Sequence, residues 1–518
     1  MSAPTVEAMV TRSEVALGAD PRRVLARLFV PGHEFFIDRE SRATGVLARV
    51  LELPEDVVAV TLADVLARYG GRHRDLPGLL RVHADQIAHR LPEGPPLSAA
   101  RCDLLGAYFT HEFALEGAAL CNPSAVLSPD QSGLTGAEVR FVLSLRAVGE
   151  GHLSTVEFRT GVLGPGSRVR VDDPGRHVEE GRTRPTTYDR GLFAATLEEA
   201  GADAESLRFL FSRLPLRFDD AQLEHGLAEL TGQQVTRLGG AHTGELARRA
   251  ASGTYEIEFS PQSALAERVL WPQGPSESRG MEDARFVRIE DADAGIGGYV
   301  AGDEGGGASY RATYTAFDGQ RIAGQLLETD DFRCFRISPL AGPAARDKGM
   351  ALFPRRVGGR HLALSRWDRE SCWLASSADG RRWGDAQPLH MPGLPWELIQ
   401  TGNCGSPVET AAGWIVLTHG VGPMREYAVS ALLLDLEDPR RVLGALREPL
   451  LRPGEDERDG YVPNVDYSCG PMLAGDRLLV PYGVADSAVR FAVVDVPMLV
   501  ARLLADGPAA ATRSNSAA

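Results

Sequence analysis

The chain has 518 residues, 43% of them apolar and 24% charged, which is enough for two domains around a large buried core. Its formal net charge of -15 excludes a general nucleic-acid binder, because such proteins present cationic faces to the phosphate backbone. A small anion remains compatible, since a local cluster of Arg and Lys can sit inside an acidic protein.

The first 118 residues are predicted to form an α-helical region. Stretches 22–29 and 60–67 space apolar residues by three and four, and Asp75-Leu76-Pro77-Gly78 starts a helix with Pro in its first turn. A further helix is expected over 99–115. The N-terminus carries Glu7, Arg12 and Glu14 and has no apolar stretch of signal-peptide length. No segment approaches the run of about 20 apolar residues that a membrane helix needs. The expectation is therefore a cytoplasmic protein with no membrane and no nucleic-acid partner.

After Cys121 the period changes. Residues 140–147 and 153–159 read as two strands around the turn Gly149-Glu150-Gly151. Similar strand–turn–strand units follow at 284–289 with 310–317, at 361–366 with 371–377, at 413–419 with 427–434, and at 477–483 with 489–494. These are five units, the later ones recurring roughly every 50–60 residues, a spacing found in propeller blades. The expected fold class is mainly β: a five-bladed β-propeller over 119–505, with a helical insertion at about 185–250 between the first two blades. An irregular β-sandwich is the alternative that spacing alone leaves open. Residues 506–518, rich in Ala and Ser, read as a disordered tail.

Cys102, Cys121, Cys334, Cys372, Cys404 and Cys469 are scattered, with no CxxC pair and no His at zinc-ligand spacing. They read as reduced thiols, and no metal or cofactor is expected. The densest alternation of acid and base is Glu277-Ser278-Arg279-Gly280-Met281-Glu282-Asp283-Ala284-Arg285, directly before a strand. Alone such a run is more often a solvated, salt-bridged loop. Polar residues at strand ends elsewhere change its meaning. Arg146, Arg366 and His419 end otherwise apolar strands, Lys348 precedes an apolar run, and Asn122 and Asn464 sit beside Pro123 and Pro463. Cations converging on one acid suggest an anion pocket, with phosphate the obvious occupant.

The segments Gly280-Met281-Glu282-Asp283-Ala284-Arg285, Tyr314-Thr315-Ala316-Phe317-Asp318-Gly319, Lys348-Gly349-Met350-Ala351-Leu352-Phe353-Pro354, Gly405-Ser406-Pro407-Val408-Glu409-Thr410, His419-Gly420-Val421 and Leu433-Leu434-Asp435-Leu436-Glu437-Asp438-Pro439 together resemble the inverting β-mannoside phosphorylases and β-1,2-mannosidases of glycoside hydrolase family 130. The resemblance covers about residues 120–500 without the insertion, and implies a five-bladed propeller. It makes Asp283 the catalytic acid, with Ala284 where the family usually has Pro. It maps phosphate binding to Arg146, Lys348, Arg366 and His419, and substrate contacts to Asn122, Glu282, Arg159, Tyr427 and Asn464, with Arg425 a further candidate. The implied reaction is reversible phosphorolysis of a β-mannoside disaccharide or oligosaccharide to α-mannose 1-phosphate, with inorganic phosphate as co-substrate and no cofactor. A hydrolase of the same fold, with Glu409 or Glu457 as base, is one alternative. A non-catalytic sugar-binding propeller is another. Trp271, Trp367, Trp373 and Trp396 could stack on sugars, although core packing accounts for most such residues. A homo-oligomer is left open.

Overall fold

The computed structural model describes residues 4–31, 42–232, 239–289 and 309–508. The chain divides into two compact units. One is Asp20–Gly117 with Gly175–Glu179; the other is Met1–Ala19, Ala118–Pro174 and Glu180–Ala518.

The smaller unit packs the helices Ala43–Leu51, Glu55–Tyr69, Leu76–Ile87 and Ala99–Tyr108 around Leu47, Val58, Leu80, Leu104 and Phe109. Asp75 caps the third helix by accepting from Gly78 N, and Pro77 occupies its first turn at no hydrogen-bond cost. Arg101 donates to the carbonyls of Val50, Leu51 and Leu53, groups left open where the first helix ends. Two expectations need correcting here. Residues 22–29 are not helical: Val24–Leu28 is a strand paired with Thr110–Ala114. Val24, Leu25 and Ala26 are all buried, and so short an apolar run carries no period that separates helix from strand. The last helix also stops at Tyr108 rather than 115, because Thr110–Ala114 is the partner of that strand.

The larger unit is mainly β, and most of its strands among the described residues form five antiparallel meanders. The first runs Ala119–Leu127, Val139–Val148, Ser154–Leu163 and Val169–Val171. The second runs Gly280–Ile289, Ser309–Phe317, Ile322–Thr329 and Cys334–Pro339. A third is Ala351–Leu352, His361–Ser365, Cys372–Ser377 and Asp385–His390. The fourth joins Gln400–Asn403 and Val408–Thr410 to Gly413–Val421, Tyr427–Leu434 and Val442–Ala445. The fifth joins Asp466–Tyr467 and Met472–Ala474 to Arg477–Val484 and Ala488–Asp495. Its outer strand comes from the other end of the chain: Val10–Gly18 pairs with Ala488–Asp495. The expected helical region therefore does not begin at residue 1. Arg12 fixes this strand by donating to Glu457 at 2.5 Å and Tyr482 at 3.0 Å.

Apolar side chains between meanders form the core. Phe158, Phe286, Phe332 and Phe335 meet edge-on and stacked, while Trp383 and Trp414 are fully buried. The stretch between the first two meanders holds the helices Arg190–Glu199, Ala204–Phe211, Asp220–Gly232 and Gly240–Ala251 around their own cluster of Phe193, Leu197, Leu210 and Leu227. Among the described residues no helix is long and apolar enough to cross a membrane. Most of the expected tail, 509–518, lies outside the described residues, and up to Asp506 the chain is the helix Val496–Asp506.

Candidate functional site

Two bulges build the centre of the site. Gly280–Ile289 pairs regularly with Ser309–Phe317 until Glu282, opposite Thr315; pairing resumes at Arg285, opposite Thr313. Asp283 and Ala284 thus face a single residue, and Asp283 takes a left-handed backbone with φ of 58°. Alternation is broken, so Glu282 and Asp283 both turn toward Arg146. The first meander carries the same device. Its register shifts between Cys121 and Ser124, and Asn122 has φ of 49°. Non-glycine residues in this region cost on the order of 1–3 kcal/mol each and collect where surrounding structure enforces them.

The two bulged side chains meet: Asn122 Nδ2 donates to Asp283 Oδ1. Arg146 donates to Glu282 Oε1 at 2.7 Å, lies 3.5 Å from Asp283 Oδ1, and is braced by its Nε donating to Ser154 Oγ at 2.9 Å. Asp283 is buried, and burial opposes its charge. Arg146, Lys348 and Arg285, with the Asn122 hydrogen bond, outweigh that penalty and hold its carboxyl below the ordinary range. Glu282 goes the other way: burial raises it, the Asp283 charge adds to the rise, and Arg146 only partly offsets both. Lys348 is exposed, and with Asp283, Arg285, Thr313, Thr315 and Gly349 it lines a small cavity.

Arg285 lines the same cavity. Fully buried, it donates to Asn403 Oδ1 at 3.2 Å and to Tyr467 Oη at 2.5 Å. Asn403 in turn donates to Gly349 O at 2.7 Å, next to Lys348. Beside this network lie Arg366 and His419. Both crowd Gly402, where a Cβ would fall 2.4 Å from Arg366 Cδ and 2.8 Å from His419 Cε1. His419 stacks on Tyr427 at 5.9 Å and meets Tyr467 edge-on at 5.1 Å. Among the described residues, the buried Arg366 Nε, Arg285 Nε and His419 Nε2 have no hydrogen-bond partner.

The structure therefore brings Asp283, Glu282, Asn122, Arg146 and Lys348 into one cluster, and Arg366, His419 and Tyr427 into a second, linked by Arg285. Asn464, at φ of 62°, joins the second cluster by accepting from Tyr427 N at 2.9 Å. Three expectations change. His419 does not bring a cation, because burial first, then the Arg366 and Arg285 charges, depress its pKa well below the usual imidazole range. Arg146 is not a free anion clamp, being already engaged by two carboxylates. Arg159 is buried on its strand 3.3 Å from Glu157, away from both clusters. Glu409 forms a two-pronged pair with Arg355, and Glu457 is tied to Arg12 and Tyr482, so neither stands in the cluster around Asp283.

Sequence reading passed over Asn403, Tyr467 and Asp486. Asp486 follows the strand Arg477–Val484 in a turn where Ala485 and Asp486 both have φ of 48°. Burial pushes its carboxyl up to about 6, with Arg146 opposing, and Asp283, Arg425 and Lys348 also act on it. The available signal was its place: an acid ending an apolar strand, like Arg146 and His419. Among the described residues, no group of three His, Cys, Asp or Glu side chains is placed to hold a metal ion.

A 1,2-β-oligomannan phosphorylase from Thermoanaerobacter sp. (strain X514) is 32% identical over 244 residues, which are 45% of this chain and 74% of that protein. A family profile described as Glyco_hydro_130, β-1,4-mannooligosaccharide phosphorylase, matches residues 260–503. The chain belongs to glycoside hydrolase family 130. Another relative of this family 130 enzyme is a β-1,2-mannobiose phosphorylase from Listeria innocua, 31% identical over 229 residues, which are 42% of this chain and 59% of that one. Among solved structures, the complex of the Listeria innocua phosphorylase with β-1,2-mannobiose covers 76% of this chain and 93% of its own, at 22% identity and a TM-score of 0.42. The family 130 chain is thus an enzyme acting on glycosides.

Proposed function

We propose that this enzyme cleaves β-mannosides by phosphorolysis, with Asp283 as proton donor and inorganic phosphate as the attacking nucleophile. The observation that carries this reading is the charge balance around Asp283. Arg285, Lys348 and Arg366 gather in or beside the site, while Arg146 is taken up by Glu282 and Asp283. A hydrolase needs a second carboxylate free to activate water; a phosphorylase needs cations to position an anion that is already nucleophilic. Glu409 and Glu457, the candidates for such a base, are paired elsewhere. The phosphorylase relatives agree with the same reading.

Phosphate would lie between Lys348 and Arg366, accepting from His419 as a neutral donor rather than a charge. Its arrival has a second effect. The cations that keep Asp283 ionised would turn to phosphate, and bound sugar would exclude water, so the acid would gain its proton as the substrates assemble. That proton reaches the glycosidic oxygen through a sugar hydroxyl, phosphate attacks the anomeric carbon from the opposite face, and the product is α-mannose 1-phosphate. Near-equal bond energies make the reaction reversible. Asn122, Glu282, Tyr427 and Asn464 are proposed to contact the sugar or its approach.

The same proposal closes the five meanders around one axis as a five-bladed propeller. Parallel bridges between successive meanders support it: Gly280 with Ser154, Tyr427 with Val465, and Ser124 with Gly470, the last joining first and fifth. The test is incubation with β-1,2- and β-1,4-mannobiose, with and without phosphate. Mannose 1-phosphate formed only with phosphate is expected; free mannose at equal rates without phosphate would overturn the reading.

A further inference from the structure

The helices between the first two meanders stand at one end of the second. They leave and rejoin its sheet through Arg182–Arg184 and Tyr255–Glu258, which pair with each other and extend the sheet beyond Cys334–Pro339. Arg184 lies opposite Glu256, and Tyr255 lies opposite Ile337, so both connections emerge at the Pro339 end. That end carries the site. Gly280 lies opposite Phe317, with Asp283 three residues on, and Pro339 lies opposite Gln325, with Lys348 in the loop that follows.

The inserted segment touches the connections at that end. Ahead of Asp283, a Cβ on Gly274 would fall 2.6 Å from the Ser252 carbonyl oxygen. In the turn after Phe317, Arg249 Nη2 donates to Asp318 Oδ2 at 2.7 Å. Ahead of Lys348, Glu199 Oε1 accepts from Gly342 N at 2.7 Å. Glu198 and Glu199 end the helix Arg190–Glu199, whose last turn has no basic residue. Acids there oppose the negative end of the helix dipole, unless a donor outside the helix engages them. Gly342 N is such a donor. It is buried at φ of 100°, and a Cβ on it would fall 2.2 Å from Trp383 O, so this tightly packed backbone takes its acceptor from the insertion. The chain from Gly342 to Lys348 is short and braced. Ala345 N donates back to Gly342 O at 3.0 Å around the turn Pro343–Ala345, Ser365 Oγ donates to Ala344 O at 2.7 Å, and Lys348 N donates to Asp347 Oδ1 at 2.8 Å. A shift at Gly342 therefore reaches Lys348, which lines the cavity with Asp283.

We infer that Glu199 is a positioning residue for phosphate: through its bond to Gly342, the helical insertion holds the loop of Lys348 where the lysine meets the anion. This rests on the phosphorolytic reading above. Glu199 acts through Lys348, not by contact with either substrate.

The experiment varies β-mannobiose and phosphate in turn for the wild type, Glu199→Ala, Glu199→Gln, Lys348→Ala and the double variant Glu199→Ala with Lys348→Ala, with melting temperatures alongside. Glu199→Ala should raise the phosphate KM about three- to tenfold, as expected for one lost hydrogen bond, with the sugar KM and the melting temperature nearly unchanged. Glu199→Gln keeps an oxygen acceptor and should stay within about twofold of wild type. Once Lys348 is Ala, adding Glu199→Ala should change the phosphate KM by less than about twofold, since no lysine is left to position. An unchanged phosphate KM in Glu199→Ala, an equal rise in both KM values, or a full further rise in the double variant overturns the role. A lower melting temperature with both KM values unchanged assigns Glu199 to stability alone and overturns it too. The two readings fail differently. A wild type that cleaves β-mannobiose without phosphate overturns the phosphorolytic reading and this role with it, whereas a phosphate-dependent wild type with an indifferent Glu199→Ala overturns the role alone.

Discussion

Asn122 and Asp283 occupy the same position in two successive meanders, each on a bulge with a left-handed backbone, and the first donates a hydrogen bond to the second. Repetition of one backbone device thus places a neutral donor against the acid. Because that bond favours the carboxylate, removing it should make Asp283 easier to protonate. In Asn122→Ala the alkaline limb of the pH–kcat profile, which reports loss of the acid's proton, should move upward. The rate below that limb should fall about tenfold as the acid loses its orientation. A limb that stays in place while kcat falls would assign Asn122 to sugar binding alone.

Asp283→Asn removes the proton donor and one negative charge together. General-acid losses are typically about 10²–10⁴-fold, and kcat should fall within that range. Phosphate should bind at least as well, since Arg146, Lys348 and Arg285 no longer share their field with that carboxylate. Stability should hold, because Arg146 keeps Glu282 and Ser154. Steady-state kinetics and a phosphate titration by calorimetry check both halves, and an unchanged kcat would remove Asp283 from the acid role.

How much of this was legible follows from what each feature depends on. Strands such as 140–147 and 427–434 announce themselves by composition, and the acidic segment by charge alternation. The helix expected at 22–29 failed because so short a run takes its form from its partner at 110–114. The outer strand Val10–Gly18 was invisible for the same reason, its partner lying at the far end of the chain. Within the site, Asp283 and Lys348 were found from local pattern. Arg159 was misplaced because a strand Arg looks the same whether it faces a cavity or a buried Glu157. Asn403 and Tyr467 are tied to the cluster by Arg285, more than a hundred residues away along the chain, and no local spacing encodes such a link.

His419 is held neutral by burial and by two neighbouring guanidinium groups, so it cannot act as a titrating phosphate clamp near neutral pH. KM for phosphate should therefore show no break attributable to imidazole between about pH 5.5 and 8 once the ionisation of phosphate itself is allowed for. Lys348→Ala should raise that KM by tenfold or more, in line with loss of a charged contact worth about 1.5–3 kcal/mol, while the sugar KM changes less. His419→Gln should cost less than Lys348→Ala. A phosphate KM that falls with the imidazole's protonation would show that the ring does gain its charge in the complex.

Asp466 lies outside the site chemistry, fully buried beside Glu457, Arg12, Arg490 and Glu426, and neither carboxyl oxygen has a hydrogen-bond partner among the described residues. Burial, reinforced by Glu457, pushes its carboxyl up to about 8, against a reference of 3.8. A group whose folded pKa is raised holds its proton more tightly in the native state. Its contribution to stability is therefore complete below about pH 4 and is lost as pH rises through 8. Asp466→Asn keeps the shape and removes the ionisation, so the variant should gain on the wild type steadily from pH 4 to 8, with a plateau above. Thermal unfolding across that range checks the sign: a melting-temperature difference that grows with pH by several degrees is expected. A difference that stays flat from pH 4 to 8 would mean that Arg12 and Arg490 hold Asp466 as a carboxylate, and would make it a partner in the clasp between the N-terminal strand and the fifth meander.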